Sequence, residues 1–185
     1  MTASSRTLIA AGFVSVLLAG SPVFAQGGPP TPAPEVDTLF KGYEGTWKCE
    51  TTFFAGAMGP GSPESKAQSQ VKVKKDLGGF WYRGEFEIKK TKTMPPFKGE
   101  FNFGYDAASK TAINVTFDSM GSAAMETAPG ATPEQQVFVG EGFMAGQKVK
   151  MRETMDRKGP KEVEHTFEVD MGKGFQKLGH DVCKK

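Results

Sequence analysis

From Gly45 to the C-terminus the chain is a succession of short stretches in which apolar and polar residues alternate. Val71 and Val73 alternate with Lys72 and Lys74; Tyr82, Phe86 and Ile88 with Arg83, Glu85 and Glu87; Phe101, Phe103 and Tyr105 with Asn102 and Gly104. The same pattern recurs at Ile113, Val115 and Phe117, at Val149, Met151 and Met155, and at Val163, Phe167 and Val169. A period of two is the signature of strands with one buried face. Turn sequences separate the stretches, among them Leu77-Gly78-Gly79, Met94-Pro95-Pro96, Met144-Ala145-Gly146 and Arg157-Lys158-Gly159-Pro160. About ten strands are expected, beginning near Thr46, Ala67, Phe80, Phe97, Thr111, Ser122, Gln135, Gln147, Lys161 and Phe175. After residue 25 there are three Leu and two Ile against thirteen Phe and ten Val, so no amphipathic helix of useful length is available to cover a sheet. A long antiparallel meander without a covering layer closes on itself, which also removes its edges. The expectation is an all-β chain forming a single closed antiparallel up-and-down barrel over residues 38–185, preceded by a short helical turn.

The beginning of the chain reads differently. Arg6, the apolar run Leu8–Leu18 and Val23-Phe24-Ala25 have the layout of a secretory signal over residues 1–25, with cleavage between Ala25 and Gln26. The run is too short to span a bilayer comfortably, and no other apolar stretch is longer, so no stable membrane insertion is expected after cleavage. Residues 26–37, rich in Pro and Gly, read as a disordered tether. The length of 185 residues suits one domain, and a formal net charge of +2 is too small to point to a nucleic-acid partner. A periplasmic or secreted protein is expected.

Leu39-Phe40-Lys41-Gly42-Tyr43-Glu44-Gly45-Thr46-Trp47 places a helical turn and a Gly-x-Trp motif at the head of the first strand. This resembles the opening of calycin barrels, the lipocalin and fatty-acid-binding superfamily, and the resemblance implies that Trp47 plugs the closed end. Gly45-Thr46-Trp47-Lys48-Cys49, Leu77-Gly78-Gly79-Phe80-Trp81-Tyr82, Pro96-Phe97-Lys98-Gly99, Phe117-Asp118-Ser119-Met120-Gly121 and the stretch from His165 to Cys183 are similar to the DUF1579 family of small, often exported bacterial proteins. That resemblance implies a calycin-like barrel and brings no established activity, so no catalytic residue is carried over. The Gly/Pro-rich segment Ala55–Ser65 departs from the two-helix lid of the fatty-acid-binding branch; it is a candidate barrel-mouth loop, with Met58 its large apolar residue.

In a closed meander the first and last strands are neighbours, and export places them in an oxidising compartment. A Cys49–Cys183 disulfide follows from topology and compartment together. Two Cys and two His without C-x-x-C or H-x-x-x-H spacing are a poor zinc signature, and no metal is expected. Ser119 in Phe-Asp-Ser-Met-Gly lacks the Gly-x-Ser-x-Gly elbow and reads as a hairpin residue. Strand parity turns Tyr82, Phe101, Phe103, Tyr105, Met151 and Phe167 inward, and with them three polar groups, Glu141, Glu153 and His165. An unpartnered inward polar group costs several kcal/mol, on the order of 2–7. These groups therefore either form a buried network with Tyr82 or Tyr105, or meet the polar end of a ligand, with haem through His165 as a third possibility. The functional expectation is a non-enzymatic module binding a small, mostly apolar molecule inside the barrel. The alternatives are a cavity enzyme of isomerase or hydrolase type, and an interaction protein with a filled core.

Overall fold

A computed structural model describes residues 29–92 and 94–185; the signal segment and its Ala25–Gln26 junction lie outside the described residues. A helix, α1 (Pro34–Phe40), runs into a 3-10 turn (Lys41–Tyr43) and then ten strands. These are β1 (Gly45–Phe53), β2 (Ser65–Asp76), β3 (Trp81–Ile88), β4 (Phe97–Asp106), β5 (Thr111–Asp118), β6 (Ala123–Pro129), β7 (Gln135–Met144), β8 (Gln147–Gly159), β9 (Glu162–Asp170) and β10 (Gln176–Lys184). Every strand pairs antiparallel with its neighbours in sequence, and β1 pairs with β10 to close the barrel. Each strand begins within two residues of the position expected from alternation. The tether is shorter than expected: its last four residues, Pro34 to Asp37, are helical, because Pro34 suits the first helical turn and Val36 is buried with Leu39 and Phe40.

α1 and the 3-10 turn plug one end. Phe40 stacks on Phe103 with ring centroids 5.0 Å apart, and Phe103 stacks on Phe138 at 5.5 Å. Trp47 is buried in the same cluster and donates from Nε1 to the Tyr43 carbonyl at 2.6 Å. This matches the plugging role that the Gly-x-Trp opening implied. Asp37 ties the helix to the wall, accepting from the Tyr82 hydroxyl at 2.8 Å and pairing with Lys75 at 2.7 Å; these bonds hold its carboxyl below the usual aspartate range. Cys49 and Cys183 face each other across the closing ladder and form a disulfide.

At the other end a second apolar cluster joins Phe53, Ala67, Ile88 and Met94, with Ala57, Phe97 and Phe167 against it. The expected mouth residue Met58 is exposed there, and its loop contributes Ala57 instead. The methionine that packs into this end is Met94, from the β3–β4 connection.

On one side of the barrel the expected faces are reversed. Ile113, Val115 and Phe117 on β5, and Val137, Val139 and Phe143 on β7, point out, while Ala112, Asn114, Glu126, Ala128, Gln136 and Phe138 point in. The aromatic stack explains this. Phe103 on β4 and Phe138 on β7 stack on each other over the two strands between them, so β5 and β6 have room there only for small side chains such as Ala112 and Ala128. Glu141 follows its strand outward, is exposed and pairs with Lys148 at 2.6 Å; it is not a lumen residue.

Further along the lumen the walls are flattened. A Cβ added to Gly84 would lie 2.0 Å from the Phe101 ring, one on Gly99 would lie 2.3 Å from Phe86, and one on Gly179 would lie 2.2 Å from Phe167. Three large rings therefore lie against the wall over inward-facing glycines instead of projecting across the interior. Gly84→Ala should drive the Phe101 ring toward the axis, lowering stability by about 1–3 kcal/mol as an overpacked core does. Urea denaturation would register this, and an unchanged midpoint would show that the wall accommodates the methyl group.

Candidate functional site

Five polar side chains from five strands converge inside the barrel. His165 on β9 holds Asp181 on β10 through Nδ1, 2.9 Å from Oδ2. Its Nε2 lies 3.7 Å from Glu153 Oε2 on β8, beyond hydrogen-bond reach. Asn114 on β5 donates from Nδ2 to Glu153 Oε2 at 3.0 Å and to Glu126 Oε2 on β6 at 3.2 Å. The result is a chain of contacts, Asp181–His165–Glu153–Asn114–Glu126, across half the barrel.

The cluster is short of partners. Asn114 Oδ1, Glu126 Oε1 and His165 Nε2 are buried with no hydrogen-bond partner, although Asn114 and Glu126 are wholly removed from the surface. Native proteins leave few such atoms. His165 and Asp181 retain 20% and 18% side-chain exposure and Glu153 retains 14%. All three point toward the barrel axis, and the imidazole is deep inside the protein. Their exposed surface therefore faces the interior of the barrel.

The protonation pattern follows from this packing. Burial opposes the imidazolium of His165, but the hydrogen bond with Asp181 and the nearby negative charges of Glu153 and Asp181 outweigh it and raise the pKa to about 10. Glu126 moves the other way for a carboxyl. Burial first, and then the Glu153 charge, push its pKa well above the usual range, only partly offset by Asn114 and His165. Both shifts run in the direction that favours an imidazolium beside a protonated acid.

The residues expected from sequence divide into two groups. Glu153, His165, Met151, Phe101 and Phe167 all carry the inward parity of their strands. Tyr82, Phe103 and Tyr105 belong to the closed-end packing: Phe103 and Tyr82 are fully buried there, and Tyr105 packs against them. The Tyr82 hydroxyl is committed to Asp37, so it takes no part in the polar cluster. Asn114, Glu126 and Asp181 were not anticipated. Asp181 was accessible to the same reasoning, since it shares parity with Cys183, which the disulfide turns inward. Glu126 was hidden because Met125, the large apolar residue of its strand, points out and is 60% exposed.

A depression of about 350 Å³ on the outer wall, between Lys72, Glu85, Glu87 and Lys98, does not compete with this site. Its charges are of both signs, Lys98 pairs with Glu87 at 3.3 Å and Glu85 and Glu100 pair with Arg83, and none of its lining side chains has a buried unpartnered atom. Among the described residues no helix is long and apolar enough to cross a membrane.

Among solved structures the fold is similar to that of the S-type phycobiliprotein lyase CPES from Guillardia theta, with a TM-score of 0.50 and 10% identity over 79% of this chain and 89% of that one. A redesigned β-barrel gives a TM-score of 0.44 at 11% identity over 80% of this chain and 95% of that one. No curated protein matches the sequence. The profile of the family described as "Protein of unknown function (DUF1579)" matches residues 32–177, from just before α1 into the last strand, and the chain belongs to that family.

Proposed function

We propose that this protein is an exported, non-enzymatic binding module that holds a small, mostly apolar molecule inside the barrel, with its polar end at the His165 cluster. The observation that carries the reading is the cluster of inward-pointing Glu153, His165 and Asp181, which keep accessible surface inside the barrel, with three buried, unpartnered polar atoms packed among and behind them. Polar groups that converge in an apolar concavity are how such sites fix a ligand. The disulfide fits an oxidising compartment, in agreement with the signal-like N-terminus. The lyase on the same fold supports the barrel as a scaffold that serves functions of this size, without transferring its activity.

The Asp181–His165 pair has the outline of an oriented acid–base dyad. A general base at neutral pH must be unprotonated for much of the time, whereas both carboxylates hold this imidazole protonated. Binding is the function this arrangement supports best.

Native mass spectrometry of the protein from its exported fraction tests the reading. The expected spectrum shows a non-covalent mass that is lost on activation, with lower occupancy in His165→Ala. Bare polypeptide in both proteins, or equal occupancy in both, would contradict it.

A further inference from the structure

Among the described residues, other charged side chains of inward parity are committed elsewhere: Asp118, at the end of β5, accepts from the Met120 and Ser122 amides of the turn. Lys75 and Arg157 share inward parity with their strands, but the Lys75 ammonium pairs with Asp37 at the helix, and the Arg157 guanidinium lies under Gly42 at the closed end. What remains around the internal space is three carboxyl groups, Glu126, Glu153 and Asp181, and a single imidazole. The imidazole is already shared between two of the carboxyls. Asn114 donates to two of them and is left with an unpartnered acceptor, Oδ1, as Glu126 is with Oε1.

Buried carboxyls need cations or protons. This cluster has one cation for three acids, and a fully buried Glu126 beside Glu153. Accepting atoms therefore outnumber positive charge at the place where a ligand's polar end would sit. We infer that the lumen is built for an amphiphile with a cationic amine head, held by Glu153 and Asp181 with Glu126 and Asn114 buried behind them, and that it discriminates against carboxylate heads. This rests on the interior-binding reading and narrows it to a ligand class. An ammonium brings up to three donors to a site rich in acceptors, and its positive charge lowers the hold of the neighbouring Glu126 on its proton. A carboxylate would add a fourth acid to the same space and would have to bring a proton with it.

The test uses three probes with one hydrocarbon tail and different heads: n-decylammonium, n-decanol and n-decanoate. Each is titrated into the purified protein at pH 7 by isothermal calorimetry, in two buffers of different ionisation enthalpy. The expected result is that decylammonium binds at least tenfold more tightly than decanoate, and that its binding releases a proton, read as a buffer-dependent heat. Glu153→Gln and Asp181→Asn should narrow the difference between the two heads. The proton release is measured on the unaltered protein and stands even if a variant fails to fold. Decanoate binding as tightly as decylammonium would overturn the charge preference and leave the interior-binding reading intact. Equal binding of decylammonium without proton release would place it on surface acids and overturn the inference. If none of the three binds, the inference fails together with the reading beneath it.

Discussion

Replacing Cys49 and Cys183 together by alanine should lower the unfolding free energy by about 4 kcal/mol, the largest single effect expected in this barrel. The two residues are 134 positions apart. Cross-linking a loop of that length removes chain entropy from the unfolded state equivalent to roughly 4–5 kcal/mol, and native disulfides typically deliver about 2–4. The position adds to the effect. Nine of the ten ladders join strands that follow each other in sequence, and each of these is a local hairpin. The β1–β10 ladder alone joins the ends of the chain, and its closure must overcome the entropy of the whole barrel. The disulfide sits in that ladder, next to the pairing of Thr51 with Asp181. Urea denaturation of the double variant, or of the reduced protein, should show a lower midpoint. The slope should rise modestly, because the unfolded chain is no longer held compact. A loss below about 1 kcal/mol would mean that the ladder closes on its strand contacts alone.

The closure itself was legible because it depends on local signals. Turn residues such as Leu77-Gly78-Gly79 and Met144-Ala145-Gly146 mark where strands end, and the absence of helix-forming stretches leaves a meander nothing to pack on but itself. Facing was legible only where one rule acted alone. On β2, β3, β8 and β9 the apolar residues of each alternating run point in, and Glu153 and His165 were placed correctly by parity with Met151 and Phe167. On β5 and β7 alternation is just as clear but has the opposite sense, since Asn114 and Gln136 go inside and Val115 and Val137 outside. The period of two fixes which residues share a face; it does not say which face is the interior. That choice is made by volume, through the Phe40–Phe103–Phe138 stack, and volume is a property of strands far apart in sequence. Glu141 was misplaced for this reason, and Glu126 was missed for the same one. Two large rings that stack across neighbouring strands require small residues on the strands beneath them, so the Ala124-x-Glu126-x-Ala128 spacing was the available signal.

Glu126→Gln should make the protein more stable than wild type, by an amount that grows with pH. The carboxyl is completely buried, and its pKa is raised by burial and by Glu153, with Asn114 and His165 opposing the shift. An unfolded chain releases this proton near the usual glutamate value of 4.5. Above that pH the native state therefore holds one proton more than the unfolded state, and unfolding becomes easier at about 1.4 kcal/mol per pH unit until the native carboxyl also ionises. Glutamine imitates the protonated acid in shape, keeps a group for Asn114 to contact and titrates nowhere, so the variant lacks this loss. The groups facing Glu126 set the background. His165 has its pKa raised to about 10, so the stability it contributes is fully present below 6.5 and is lost as pH rises through about 10. Asp181 and Glu153 hold that imidazolium in both proteins. Between pH 7 and 9 wild type should thus lose stability with the slope of two protons and Glu126→Gln with the slope of one, and the two curves should meet near pH 4.5. Denaturant midpoints across that range measure both slopes. Parallel curves would mean that Glu126 is ionised in the native barrel, that another cation already compensates it, and that the lumen has no vacancy for an ammonium to fill.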